Sequence, residues 1–196
     1  MNTGDLILFN SITPCACMVS LGTCSKWNHV AIVLKDFQLD DIFLKGIHVL
    51  QCGLELVPDI YGNKLPFGVH IQKLENIQEF YPRIYYRHLN LSSSDKEEFL
   101  KNLRNVILSI KNASYDMKIS SWIELINSTI IGKTNPLDIP KETSNDIYRN
   151  PSFVCSSMVA YLYAKTGLMQ FGNWKNVTPQ FFAKVKTNFL SDLNRI

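Results

Sequence analysis

Strand-like segments fill the first ninety residues of this chain, and helix-like segments follow them. Short apolar runs bounded by turn-forming residues predict β-strands over residues 5–9, 30–34, 47–52, 54–57, 69–74 and 83–89. The pattern also predicts a hairpin tip within residues 35–45 and a bulge at Gly53. Because strands and helices do not alternate, no parallel sheet is required. The predicted fold class is α+β, with an antiparallel sheet or half-barrel packed against helices.

The helical half of the chain begins after Leu91. Residues 92–95 read Ser-Ser-Ser-Asp and offer N-caps, and apolar residues then recur at helical spacing from Phe99 to Ile110. Further helices are predicted over residues 120–131, over residues 155–167 and from Thr178-Pro179 onward, with proline at the first helical position. The 196 residues, 46% of them hydrophobic, fit a single domain spanning residues 1–196.

Composition narrows the range of partners. A net charge of +3, from 20 basic and 17 acidic residues without a basic run, gives no reason to expect nucleic acid. The N-terminus lacks the features of a secretory signal, and no apolar segment approaches the ~18 residues of a transmembrane helix. These patterns predict a soluble, intracellular protein, in the cytoplasm or, for a viral protein, in the host cytoplasm. They leave peripheral membrane contact open and give no sign of the oligomeric state.

The cysteines predict reduced thiols. Their number is odd, which fits a disulfide framework poorly in a chain of this length; they are Cys15, Cys17, Cys24, Cys52 and Cys155. The first three lie close together, but their spacing is not that of a usual zinc site and no histidine stands nearby in ligand register. We therefore expect no structural disulfide, no metal and no organic cofactor.

Cys155 is the candidate nucleophile. The sequence changes there from turn-forming residues to a helical apolar pattern, which places the thiol in the first turn of a helix with Ser152 as a candidate N-cap. Unpaired N–H groups and the positive dipole end of such a turn favour thiolate over thiol. Buried helix cysteines also occur as inert small hydrophobes. A catalytic role therefore requires a base.

His29 is the candidate base, because it stands where a loop enters an apolar strand and can project from the sheet toward a helix. A histidine that merely satisfies a hydrogen bond at a strand end is the alternative. Gln51 is the polar member of an alternating face on the next strand, and it lies across from His29 if the two strands are antiparallel. Its carbonyl oxygen can orient an imidazole. Glu55 is the carboxylate alternative, although Gly53 leaves its facing open.

Several motifs, taken in order, resemble a known superfamily. They are Gly4-Asp5 with its apolar strand, Asn28-His29-Val30, Val49-Leu50-Gln51, Tyr115-Asp116, Val154-Cys155-Ser156-Ser157 and Thr178-Pro179. In this order, with the histidine strand before the cysteine helix, the chain resembles the circularly permuted, papain-like branch of the NlpC/P60 superfamily. It is most similar to the YiiX/YebB-like group, which includes orthopoxvirus members.

The resemblance implies roles for individual residues. It makes Cys155 the nucleophile and His29 the general base, with Gln51 in the third, orienting position, where such relatives usually carry glutamate. Gly4-Asp5 and Tyr115-Asp116 are interpreted mainly as structural supports, and Tyr115 is also a candidate substrate contact.

The implied activity is that of a cysteine hydrolase acting through a thioester acyl-enzyme. An amide substrate, as for a peptidase or amidase, is the first expectation. Acyl transfer or ester hydrolysis on an acyl lipid is the second, because permuted relatives of the lecithin–retinol acyltransferase kind share the His-before-Cys order. An inactive binding scaffold is the third, because Gln51 departs from the usual glutamate.

Overall fold

The fold is seen in a computed structural model that describes residues 1–10, 25–54 (Leu54 as backbone only), 57–62, 67–81, 83–118, 123 and 152–195. Its six strands are β1 (Leu6–Phe9), β2 (His29–Leu39), β3 (Ile42–Leu54), β4 (Phe67–Lys73), β5 (Ile84–Arg87) and β6 (Asn194–Arg195). Its α-helices over these residues are α1 (Leu74–Ile77), α2 (Ser93–Ile110), α3 (Cys155–Lys165) and α4 (Pro179–Lys184). Two short 3-10 helices span Gln78–Phe80 and Trp174–Asn176.

The strands form one sheet in the order β4-β3-β2-β1-β5-β6, and each neighbouring pair is antiparallel. Strands β1 to β4 lie side by side in chain order, and β5 pairs with the other side of β1, so β1 and β2 are the two middle strands. The predicted α+β class is confirmed.

The central strands are buried on both faces. Because alternate residues of a strand point in opposite directions, each of these strands contributes to two apolar clusters. One face of β1 and β2 carries Leu6, Leu8, Val30 and Ile32, which pack with helices α2, α3 and α4 in the larger apolar cluster. The other face carries Ile7, Phe9, Ala31 and Val33, which pack with α1 and Tyr81 in a smaller cluster. Helix α3 therefore covers only one of the two faces.

Two strand predictions need correction. The hairpin tip is much shorter than residues 35–45, because β2 continues to Leu39 and β3 starts at Ile42. Asp40 occupies the tip with a φ of 52°, a left-handed conformation that aspartate tolerates in turns. Gly53 is not a bulge either, since it pairs directly with Gly68 inside an unbroken β3–β4 ladder. Backbone pairing to β4 continues the strand where the side-chain pattern suggested a break.

The helix predictions agree with the structure where it describes them. Ser92 caps α2 by accepting a hydrogen bond from the Asp95 N–H, and Thr178 caps α4 in the same way from Phe181. Gly167, with a φ of 81°, follows the end of α3 as predicted. The predicted helix at 120–131 lies outside the described residues apart from Ile123, and Cys15, Cys17, Cys24 and Glu55 also lie outside them.

Gly4 supports the start of β1 at a place where no side chain fits. Its φ is 96°, and a Cβ added there would lie 2.6 Å from Leu89 Cδ2 and 2.7 Å from Phe99 Cε1. Gly46 offers a matched control, because its φ is 87° and nothing lies within 4 Å of the same added atom.

Substituting alanine at these two glycines should separate the clash from the backbone strain. We expect Gly46→Ala to cost about 1 kcal/mol from strain alone, and Gly4→Ala to cost a further 1–3 kcal/mol, on the order of a typical overpacking penalty. Urea unfolding of both variants measures the difference. Equal losses of stability would contradict the packing role of Gly4.

Candidate functional site

Cys155 is the first residue of α3, as predicted, but its helix is capped differently. Val154 occupies the N-cap position rather than Ser152, and the Ser157 hydroxyl accepts a hydrogen bond of 2.9 Å from the Val154 N–H. The segment before the helix is held by a parallel bridge between Phe153 and Tyr115. In that bridge the N–H of Phe153 donates to the Ser114 carbonyl at 3.0 Å. Backbone pairing therefore fixes the helix start, and Ser152 is not needed as a cap.

His29 is the first residue of β2, and its ring is held by aromatic neighbours. The imidazole stacks on Tyr81 with a centroid distance of 6.0 Å and an interplanar angle of 7°. The ring of Phe9 lies 5.5 Å away on a tilted plane. These contacts limit the rotation of the imidazole and place it on the side of the smaller apolar cluster. This is the sheet face that α3 does not cover, so the expectation that His29 projects toward the cysteine helix is not met.

Gln51 contacts His29 directly. The β2–β3 pairing is antiparallel, as predicted, and its ladder runs to the pair Ile32–Leu50. Just beyond that pair, Nε2 of His29 lies 2.7 Å from Oε1 of Gln51 in a buried hydrogen bond. This side-chain hydrogen bond thus joins the two strands at the point where their backbone ladder ends.

The thiol of Cys155 reaches the same end of β2 from the helix side. Its sulfur lies 3.9 Å from the carbonyl oxygen of Asn28 and is hydrogen-bonded by the backbone N–H of Val30. These two residues flank His29 in the chain. The structure therefore brings Cys155, His29 and Gln51 to one end of the β2–β3 pair.

Burial dominates the protonation of both candidate catalytic groups. It raises the pKa of the Cys155 thiol to about 11, against the opposing effect of the N–H groups of Val30, Ser156 and Cys155 itself. Burial also lowers the pKa of the His29 imidazole to about 4, although the hydrogen bond to Gln51 partly offsets it. At pH 7 both the thiol and the imidazole are therefore neutral. Desolvation outweighs the helix dipole that was expected to favour thiolate at this position.

The other candidate residues lie around this centre. Tyr115 forms a backbone bridge with Phe153, and Phe153 lies two positions before Cys155 in the chain. The ring centroid of Tyr115 lies 6.2 Å from that of Phe67. His88 is bonded to Asp5 at a Nδ1–Oδ2 distance of 2.8 Å, away from the thiol. Sequence reasoning missed Gln72, whose side chain bonds Gln51 at 2.7 Å. No signal in the local sequence marked Gln72, because its position beside Val49 depends on the pairing of β3 with β4.

The acid sensitivity of folding should report the buried state of His29. An imidazole whose pKa falls from 6.5 to about 4 on folding binds a proton more readily in the unfolded chain, so stability is lost as pH falls between these values. For one such group the loss from pH 7 to pH 5 is about 2 kcal/mol. Because His29→Gln removes only this group, we expect its free energy of unfolding to fall about 2 kcal/mol less than that of the wild type over that range. Parallel pH dependences in urea unfolding would show that His29 is not buried neutral.

The described residues contain no group of three or more His, Cys, Asp or Glu side chains that could hold a metal ion. Within the same residues, no helix is long and apolar enough to cross a membrane.

The fold and site define an α+β protein with a buried cysteine at the start of a helix, whose thiol contacts the backbone on either side of a buried histidine at the start of a strand. No known family matches the sequence, and no curated protein matches it either. Among solved structures, the chain is similar to the metalloprotein YiiX from Escherichia coli O157:H7, with a TM-score of 0.46 and 15% identity. That match covers 100% of this chain and 96% of YiiX. The similarity is too low to transfer a family, a metal or a residue role.

Proposed function

We propose that this chain is a cysteine hydrolase that cleaves an amide bond through a thioester on Cys155. The observation that carries the proposal is the buried His29–Gln51 hydrogen bond at the strand end to which the Cys155 sulfur is bonded. A nucleophile, a base and a group that orients the base are the parts that thiol catalysis needs. Their order along the chain also matches the papain-like, permuted resemblance of the sequence.

The neutral imidazole is the form of His29 that can act as a general base. An imidazole with a pKa of about 4 is unprotonated at pH 7 and can accept the thiol proton as the sulfur attacks the carbonyl carbon. His29 then returns that proton to the leaving amine, which departs as the C–N bond breaks and leaves a thioester on Cys155. Water, deprotonated by His29, attacks the thioester and releases the carboxylic acid and the free thiol.

The start of α3 supplies candidate stabilisation for the tetrahedral intermediate. The backbone N–H groups of Cys155 and Ser156 lie against the sulfur, where they favour its anionic form. In this proposal the same N–H groups stabilise the oxyanion, whose oxygen is on the carbon that the sulfur attacks. The buried Ser156 hydroxyl also favours the anionic form of the sulfur and can serve the same purpose.

A catalytically silent binding protein is the second candidate, and the burial of the site favours it. Both reactive side chains are more than nine-tenths buried, so neither is charged at pH 7. On this alternative Cys155 and His29 are core residues. The two candidates differ in whether Cys155 is needed for any turnover.

A substrate survey decides between them. Wild-type protein, Cys155→Ala and the matched control Cys52→Ala are incubated with short peptide amides and, separately, with phospholipid vesicles, and product release is followed by mass spectrometry. We expect amide cleavage by the wild type and Cys52→Ala, and none by Cys155→Ala. Cleavage of phospholipid alone would replace the amidase with a lipid acyl hydrolase or acyltransferase. Turnover that survives in Cys155→Ala would refute the proposal.

A further inference from the structure

A chain of three hydrogen bonds runs from His29 across the sheet. Nε2 of His29 lies 2.7 Å from Oε1 of Gln51, and Nε2 of Gln51 donates to Oε1 of Gln72 at 2.7 Å. Nε2 of Gln72 in turn donates to the backbone carbonyl oxygen of Val57. Gln51 is 0% exposed and Gln72 is 1% exposed, so water cannot substitute for either amide.

The carbonyl of Val57 fixes the direction of this chain. A backbone carbonyl only accepts hydrogen bonds, so Gln72 must present its NH₂ group to Val57 and its oxygen to Gln51. Gln51 must then present its NH₂ group to Gln72 and its oxygen to His29. The imidazole nitrogen that meets this oxygen has to be a donor. The chain therefore selects the His29 tautomer that carries its proton on Nε2.

We propose that Gln72 is a positioning residue that sets the tautomer of His29, an inference that rests on the proposed function for its catalytic meaning. With the proton on Nε2, the lone pair of the neutral imidazole is on Nδ1, the nitrogen that can accept a thiol proton. Without Gln72, the Gln51 amide can turn over and present its NH₂ group to Nε2. That orientation stabilises the opposite tautomer, in which Nδ1 carries a proton and cannot act as a base.

The same logic explains why position 51 holds an amide. A carboxylate there could accept from His29, but its second oxygen would face Oε1 of Gln72 with no hydrogen between them. Two facing acceptors in a buried site repel each other and leave both unsatisfied. Gln51 accepts on one side and donates on the other, so it fits the chain anchored at Val57.

Nitrogen-15 NMR of the imidazole side chains tests the inference, because two-bond N–H couplings distinguish the two neutral tautomers. The His29 signals are assigned by their loss in His29→Gln, and spectra are recorded at pH 7. We expect the wild type to carry its proton on Nε2. We expect Gln72→Met to populate the Nδ1-protonated tautomer and to lose about tenfold in kcat/KM for an activated acyl ester.

His70→Met is the matched control. His70 lies two residues before Gln72 on the same strand and face, is buried, and neither of its ring nitrogens has a hydrogen-bond partner in the described part of the chain. This variant should keep the wild-type tautomer and rate, whereas a general effect of mutating β4 would appear in both variants.

The outcomes separate this inference from the proposed function. A wild-type His29 protonated on Nδ1 overturns the inference without any variant, and so does an unchanged tautomer in folded Gln72→Met. If Gln72→Met does not fold, Gln72→Leu replaces it at pH 7, because leucine also has no group that can donate to Val57 or accept from Gln51. Retention of the Nε2 tautomer in that variant overturns the inference. An inactive wild type with the expected tautomer refutes the enzyme and leaves the positioning role intact.

Discussion

Replacing His29 with glutamine should lower kcat/KM for an activated aryl ester at pH 7 by about 10²- to 10⁴-fold, the usual contribution of a general base. The size of the effect follows from the buried thiol. Its pKa of about 11 leaves very little thiolate at neutral pH, so attack depends on a base that removes the proton during the reaction. Glutamine keeps a polar side chain near Gln51 but has no basic nitrogen. Release of the aryl alcohol, followed by absorbance, measures the rate.

His48→Gln is the control for this substitution. His48 is a buried histidine on β3, and it lies on the opposite face from Gln51 because the two are three residues apart on one strand. This variant should retain the wild-type rate within about threefold, since it is outside the proposed base–nucleophile pair. Equal rates for the wild type and both variants would remove His29 from the mechanism.

Asp5→Ala should destabilise the fold by about 2–3 kcal/mol, the usual cost of leaving hydrogen-bond donors without their buried acceptor. Asp5 is fully buried at the start of the central strand. Its carboxylate accepts hydrogen bonds from the N–H groups of Leu89 at 2.9 Å and of Asn2 at 2.8 Å, and it contacts His88 at 2.8 Å. Alanine leaves the part-buried Leu89 N–H without its acceptor and removes the link between the start of β1 and the residues that follow β5. Urea unfolding at pH 7 gives the loss.

Asp95→Ala isolates the effect of burial. Asp95 also accepts a short hydrogen bond, from the Ser92 hydroxyl at 2.6 Å, but it lies on the exposed first turn of α2. Its removal should cost about 0.5–1 kcal/mol. A cost for Asp5→Ala as small as that of Asp95→Ala would show that the Asp5 contacts are not structurally important.

Local pattern predicted much of this fold, because the elements concerned are fixed by their own residues. Helix α2 starts at a serine cap and keeps an apolar face, and α4 starts at Thr178-Pro179. The antiparallel pairing that sets Gln51 beside His29 was accessible for the same reason, since a strand has a period of two. The extension of β3 through Gly53 could not be predicted in this way, because it depends on pairing with Gly68 on β4, which lies further along the chain.

The candidate site, like the fold, could be predicted from the sequence only in part. Cys155 and His29 could be selected from their positions at a helix start and a strand start, but their protonation could not, since it depends on burial by distant segments. The role of Gln72 was hidden for a related reason. Its partners are Gln51 in the sheet and a backbone carbonyl at Val57, and neither contact leaves a mark in the local sequence.

The mass of the intact protein during turnover tests the central claim most directly. Wild-type protein is mixed at pH 7 with an activated aryl ester, quenched with acid within the first turnovers and analysed by mass spectrometry with peptide mapping. We predict one added acyl group on Cys155, and none in Cys155→Ala. An acyl group on another residue, or product formation with no adduct on Cys155, would contradict the account.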